Sequence, residues 1–318
     1  MIITSPRGSL TGLNSFLMAF NWQTFKTRTL TAAVFVVVML AGLLINTWTF
    51  FLLFSVIHFG CWWEYQRLVG LIDTRYREIK FLHKYGVIAI GWLCMLFFFI
   101  NNNFYVDTVF VGGATVGLIL LLLVPLILSI AKNPMNITYS LLGLVYISLP
   151  LILIMKMAIY ELSTWDGPPT HSAIFFLLVP FAVLLIACMW INDTMAYIVG
   201  SLIGRTPLTK ISPKKTWEGT IGGIMLATIT TGLIFSNINA DIIRSDYHFK
   251  FSTTPLYIIA AIAAIFGTFG DLLESKLKRM AGVKDSGNLM PGHGGFLDRF
   301  DSMLLAIPAV WVYVYYFL

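Results

Sequence analysis

Charge is scarce in this chain. Asp, Glu, Lys and Arg make up 11% of its 318 residues, while 58% are hydrophobic. A soluble domain carries about a quarter charged residues, so a water-facing globular surface is excluded for most of the length. Cysteine is scarce too. Cys61, Cys94 and Cys188 lie in or beside apolar runs with no CxxC or His-Cys spacing. That argues against a disulfide framework or a zinc site and leaves buried thiols. Ten-residue alternating segments are missing: a run such as TVGLILLLLVPLILSIA is apolar on every face, which is helical membrane sequence and not a β-barrel. Internal repeats are missing as well, so an inverted-repeat transporter is not suggested.

What is present is an all-α polytopic membrane protein of nine expected spans. They fall near 30–45, 47–66, 84–100, 107–131, 138–160, 173–192, 217–235, 255–275 and 300–317, with Ile45-Asn46-Thr47 as the turn between the first two. Residues 1–29 read as a polar cytosolic lead, since no small-residue cleavage site ends the first apolar run. Residues 30–171 hold the N-terminal helices. Residues 172–318 hold a catalytic region with cytosolic loops 193–216 and 276–299. With the N-terminus inside, Arg67, Arg75, Arg77, Lys80 and Lys84 fall in an inner loop. So do Arg205, Lys210, Lys214 and Lys215, and then Lys276, Lys278, Arg279 and Lys284. The C-terminus then lies on the opposite side, with Trp311, Tyr313, Tyr315 and Tyr316 as an outer aromatic belt. The net charge of +6 sits in these short loops. It reads as orientation in the bilayer and as an anionic ligand, without nucleic acid. Glycines four apart, Gly113/Gly117 and Gly200/Gly204, with Gly219, Gly222 and Gly223, are expected at close helix contacts. Glu64 beside Arg67 is expected to form an interfacial ion pair.

Two polar constellations interrupt the apolar background. The first, WINDTMAYIVGSLIGRTPLTKISPKKTWEGTIGG, places Asp193 at the end of a span and follows it with four bases. Ser212-Pro213 is expected to cap the next helix, which with Lys214 and Lys215 makes a candidate phosphate cradle. The plain alternative is a basic anchor loop. The second constellation runs from Gly270 to Asp301, GDLLESKLKRMAGVKDSGNLMPGHGGFLDRFD, with ten charged side chains and a histidine. Asp271 ends a span. Asp298 and Asp301, three apart, share a face at the start of the last one. Three carboxylates at one membrane face suit a hard cation such as magnesium, whereas any one alone is as well explained as a helix cap or as a partner of Lys276 or Arg299. His293, among glycines, is placed to donate to a phosphate oxygen or to position a metal-bound water.

Ser275, Lys278-Arg279, Lys284-Asp285, Gly287, Pro291, His293-Gly294-Gly295, Asp298-Arg299 and Asp301 together resemble the signature of the phosphatidate cytidylyltransferase, or CDP-diacylglycerol synthase, family. Asp193, Ala196-Tyr197, Gly200, Gly204, Ser212-Pro213-Lys214-Lys215-Thr216 and Glu218-Gly219 resemble its second conserved region. Met290 stands where that pattern more often has Leu, Ile or Phe. The resemblance implies transfer of CMP from CTP to phosphatidate, giving CDP-diacylglycerol and pyrophosphate for phospholipid synthesis. It further implies a magnesium requirement, an associated monovalent ion such as K+, a homodimer and an inner-membrane location with the site facing the cytosol. By position it makes Asp271 and Asp298 the metal ligands, and Asp301, Lys276 and His293 further catalytic residues. Asp193, Ser212, Lys214, Lys215, Lys278, Arg279, Lys284 and Arg299 are the substrate-binding candidates. Rival readings are a CTP-dependent polyprenol or lipid kinase, an ether-lipid cytidylyltransferase, and an ion-coupled transporter.

Overall fold

Where water is absent, each backbone N–H and C=O must find its partner within the chain, and long apolar runs meet that demand as helices. The computed structural model describes residues 22–103, a few positions between 115 and 123, and residues 134–162, 171–244, 253–287 and 294–318. Among these the fold is all helical, with one isolated antiparallel bridge between Pro207 and Thr216.

The helices are α1 (Trp22–Leu44), α2 (Thr47–Ile72), the short α3 (Thr74–Arg77) and α4 (Phe81–Asn103). Next come α5 (Pro134–Gly143), a π turn at Leu144–Ser148, α6 (Leu149–Leu162) and α7 (His171–Ile203). The last three are α8 (Trp217–Arg244), α9 (Thr253–Met280) and α10 (Leu297–Phe317). Among the described residues, six segments are long and apolar enough to cross a membrane: Phe81–Asn101, Met135–Met157, Phe181–Ile203, Trp217–Ile238, Thr253–Met280 and Leu297–Phe317. Of the other expected spans, the first has a shorter apolar helix, Thr29–Leu44. The second is the helix α2, which is absent from those six. The span at 107–131 lies largely outside the described residues.

The expected turn at Asn46 is present as a reciprocal cap. Thr49 N donates to Asn46 Oδ1 at 2.8 Å and Asn46 N to Thr49 Oγ1 at 3.1 Å, which satisfies free donors at the start of α2. The π turn after α5 brings Ser148 Oγ to 2.9 Å from Trp62 Nε1 and 3.0 Å from His58 Nε2, and so ties α2 to the middle of the chain. In the C-terminal half, α7 packs along α8, α8 along α9 and α9 along α10, while α10 also touches α6 and α2. Helix α10 therefore lies at the seam between the two halves, together with α7, which also packs against α6.

The expected glycine contacts occur between α7 and α8. A methyl group at Gly219 would lie 2.7 Å from Ala196 O and 2.9 Å from Gly200 Cα, and one at Gly223 would lie 2.8 Å from Ala196 Cβ. Gly117 differs. Among the described residues nothing lies within 4 Å of the place its side chain would occupy, and Gly113 lies outside the described residues. On α8, Ile221, Met225, Ile229 and Leu233 form an exposed stripe every four residues, the face that lipid would cover.

Candidate functional site

Helices α7 and α9 run past the apolar stretches from which their ends were expected, and this moves chemistry from loops onto helix faces. Helix α9 continues to Met280, so Asp271, Glu274 and Lys278 stand three and four residues apart on one face. That face meets the first turns of α10. Gly270 permits the approach: a methyl group there would lie 3.0 Å from Ser302 Cα and 3.1 Å from the Asp301 carbonyl carbon.

At this contact, oxygens of Asp271, Glu274 and Asp301 all lie within 4.8 Å of one another. Glu274 is fully buried, and its carboxylate pairs with the Lys278 ammonium one turn along the same helix. Asp301 is also buried, and its Oδ1 accepts the Ser302 N–H at 2.6 Å. Carboxylates withdrawn from water are costly without positive charge beside them. Part of that charge comes from lysine. Lys215 pairs with Asp271, and the Lys278 ammonium lies between Glu274 and Asp298, 2.6 Å from Asp298 Oδ1. The donor set is all oxygen, and its 4.8 Å span is close to the roughly 4–5 Å between opposite ligands of Mg2+ or Ca2+. The residues present fit a hard divalent ion.

The loop carrying Lys215 is built by its own hydrogen bonds. Glu218, in the first turn of α8, accepts from Arg205 N at 3.2 Å and from Thr206 Oγ1 at 2.9 Å. Leu208 N donates to Lys215 O at 2.7 Å. Ser212-Pro213 does not cap α8. Residues 212–215 form a turn closed by Lys215 N to Ser212 O at 3.1 Å, and Thr216 Oγ1 is the cap, accepting from Gly219 N at 3.1 Å. Burial holds the Lys215 ammonium below the ordinary lysine pKa, against the pull of Asp193 and Asp301.

Asp193 is not at a helix end, because α7 continues to Ile203. It lines a cavity of about 270 Å³ with Asp298, Arg299 and Asp301, while Phe35 and Met39 of α1 and Trp190 of α7 form an apolar wall. Of the residues singled out from sequence, Asp193, Asp298, Arg299 and Asp301 line this cavity, and Lys215, Asp271 and Lys278 belong to the ion pairs beside it. Lys214, Lys276, Arg279 and Lys284 are exposed. Lys276 follows Asp271 by five residues, about 140° around the helix, and so leaves the shared face. His293 lies outside the described residues. Asp271 pairs with Lys215. Asp298 and Asp301 diverge. Asp298 takes Lys278 and the backbone N–H groups of Ser286 and Gly295 at 3.0 and 2.7 Å, while Asp301 turns to Asp271 and Glu274.

Two acids were not singled out for the site. Glu274 had a signal, its spacing from Asp271, which a helix ended at 275 conceals. Glu64 had none. Instead of pairing with Arg67 at the interface, it is 1% exposed and accepts from Ser286 Oγ at 2.6 Å, Phe296 N at 2.9 Å and Leu297 N at 2.8 Å. Three donors satisfy its carboxylate inside the protein, whereas Arg67 is on the exposed side of α2.

With this geometry in place, similarity to known proteins becomes specific. A stretch of the chain is 36% identical over 177 residues to the phosphatidate cytidylyltransferase of Rickettsia bellii, covering 55% of this chain and 69% of that protein. It is 42% identical over 128 residues to the protein of the same name from Bacillus subtilis, 39% of this chain and 44% of the relative. It is 43% identical over 129 residues to that of Staphylococcus saprophyticus, 40% and 45%. In these last two the match spans less than half of the relative's length. The model of the cytidylyltransferase family matches residues 26–317, nearly the whole length, and the chain belongs to that family.

Proposed function

We propose that the chain is a CTP:phosphatidate cytidylyltransferase, which transfers CMP to phosphatidate and releases pyrophosphate. The observation that carries this reading is the meeting of Asp271, Glu274 and Asp301 with Lys215 and Lys278 beside a cavity that is polar at one end and apolar at the other. Two polyanionic reactants need positive charge and fixed orientation more than they need a base.

A divalent ion, magnesium by the family resemblance, would be held by Asp271, Glu274 and Asp301, and it supplies positive charge to phosphate oxygens when bound. Asp298, the other ligand the resemblance implies, has its Oδ1 on Lys278. The cation between Glu274 and Asp298 is that lysine's own ammonium. The chain's own residues do the rest. Lys215 and Lys278 are placed to pass from their carboxylate partners to the phosphates of CTP. Arg299 meets the headgroup phosphate of the lipid, whose first acyl carbons lie against Phe35, Met39 and Trp190. A phosphatidate oxygen attacks the α-phosphorus in line with the leaving pyrophosphate. The phosphate monoester already carries about 1.5 to 2 negative charges at neutral pH, so no side chain has to remove a proton. Exposed Lys214, Lys276, Arg279 and Lys284 draw anions toward the mouth.

Nine spans, a cytosolic N-terminus, an inner-membrane location and a cytosolic site belong to the same proposal, supported by basic residues in alternate loops. Assembly as a homodimer is part of it too, and light scattering in detergent reads it. The deciding experiment is pyrophosphate release by purified protein with magnesium, CTP and phosphatidate, each omitted in turn, with the lipid product identified by mass. A requirement for all three with CDP-diacylglycerol as product supports the proposal. CDP with a newly phosphorylated lipid, or no nucleotide turnover, overturns it.

A further inference from the structure

We propose that Glu64 is a positioning residue for this site: a carboxylate from the N-terminal half that caps α10 and pins both flanks of the segment 287–294. Phe296, at the start of α10, offers no side-chain cap, so the first N–H groups of the helix need an outside acceptor. Glu64 supplies it across more than two hundred residues of sequence. Its Oε1 takes Phe296 N and its Oε2 takes Leu297 N, at 2.9 and 2.8 Å. The same Oε2 takes Ser286 Oγ at 2.6 Å. Asp298 completes the closure by accepting Ser286 N and Gly295 N on Oδ2. Two carboxylates thus collect five donors from the two flanks of one segment.

The surroundings are fitted to that carboxylate. A methyl group at Gly287 would lie 2.6 Å from Glu64 Cδ, and one at Gly295 would strike both carboxylate oxygens. One turn earlier on α2, a methyl group at Gly60 would lie 2.7 Å from the Phe296 ring. Residues without side chains therefore stand at three points where Glu64 or its helix meets the Ser286 flank or the start of α10. The cap fixes how far α10 advances and how it is rotated. Asp298 and Asp301, one and four residues beyond Leu297, inherit that placement against Asp271 and Glu274 on α9. All three groups that face Glu64 are donors, so an acceptor-only carboxylate fits. Glutamine, with an NH2 in place of one oxygen, does not.

The kinetic part of the test rests on the cytidylyltransferase reading, so it is joined to two measurements that do not. Full-length wild type and Glu64→Gln in detergent are compared by amide exchange of peptides covering 294–300, by Mn2+ titration followed by electron paramagnetic resonance, and by CTP-dependent turnover. The expected result is exchange at Phe296 and Leu297 faster by about tenfold or more. Mn2+ affinity and kcat are each expected to fall about tenfold or more, with KM for CTP within about twofold. Unchanged exchange overturns the cap. Faster exchange with unchanged Mn2+ affinity overturns the positioning role, and so does faster exchange with unchanged turnover in a protein whose wild type is active. If the wild type makes no CDP-diacylglycerol, the reaction reading fails, while exchange and Mn2+ affinity still decide the role of Glu64. If Glu64→Gln cannot be extracted folded, Ser286→Ala, which removes one of the three donors, must move the first two readouts in the same direction, and no movement overturns the proposal.

Discussion

Replacing Asp271 by asparagine separates what this carboxylate does for an ion from what it does for the fold. Its partner Lys215 is 31% exposed and Asp271 itself 23% exposed. A half-wet ion pair of that kind stabilises by about 1 kcal/mol or less. Asparagine keeps the volume, so the unfolding midpoint should drop by no more than about 2–4 °C. Turnover should respond on another scale. The variant removes one of three charged ligands from a site whose oxygens lie within 4.8 Å, while Glu274 and Asp301 stay in place. A loss of about 3–4 kcal/mol in stabilising phosphate charge corresponds to a rate lower by about 10²–10³-fold. Pyrophosphate release is measured across a magnesium titration, beside a thermal melt of the same preparation. Half-saturation should move to higher magnesium, and saturating magnesium should not restore the rate. Turnover within about threefold of wild type at the same magnesium half-saturation would refute the assignment of Asp271 as an ion ligand.

Three further outcomes follow from the same geometry. Lys278→Met leaves buried Glu274 and Asp298 facing each other without the ammonium between them, which should cost about 3 kcal/mol in chelator and less with magnesium present; identical melts in both conditions would count against it. Gly270→Ala sets a methyl group against the backbone of Asp301 and Ser302, so α9 and α10 must part. A stability loss of about 1–3 kcal/mol with a larger proportional loss of turnover is expected, and unimpaired turnover would mean that the helix contact does not set the site. For Lys215 the sign is set by burial, which lowers its pKa from 10.5. A lysine loses its charge as pH rises, so a lowered pKa brings that loss to lower pH, and kcat/KM for CTP should begin to fall with rising pH before pH 10.5 is reached. Arginine stays charged, so Lys215→Arg should remove that decline; a profile identical to wild type would take Lys215 out of the phosphate site.

The parts of this molecule legible from sequence are those that lipid constrains. An unbroken apolar run in a bilayer has one economical backbone, so the helices at 84–100, 217–235 and 300–317 appear close to where hydropathy puts them. The reciprocal cap at Asn46 is local chemistry and is equally readable. Helix ends are different, because a helix ends where its backbone hydrogen bonds end, and polar residues continue it well. Helix α7 runs on to Ile203 and α9 to Met280. Asp193 is therefore carried on a helix face instead of a loop, and Glu274, within a span whose expected end comes one residue later, joins Asp271 and Lys278 on one surface.

Glu64 lay beyond reach for another reason. Its donors are 222 or more residues away, and neither period nor spacing carries that information. A buried acid in the N-terminal half looks like interfacial charge until the start of α10 is set against it. Once it is, the division of labour between the halves changes. The signature residues lie between 190 and 303, yet the helix that delivers Asp298 and Asp301 is capped from α2 and packed against α6. On the proposed reading, the C-terminal half brings the reacting groups and the N-terminal half sets the register in which α10 presents them. A fragment beginning at α7 would keep every signature acid and lysine while losing the cap that sets their spacing, and it should bind Mn2+ more weakly than the full chain for the same reason as Glu64→Gln.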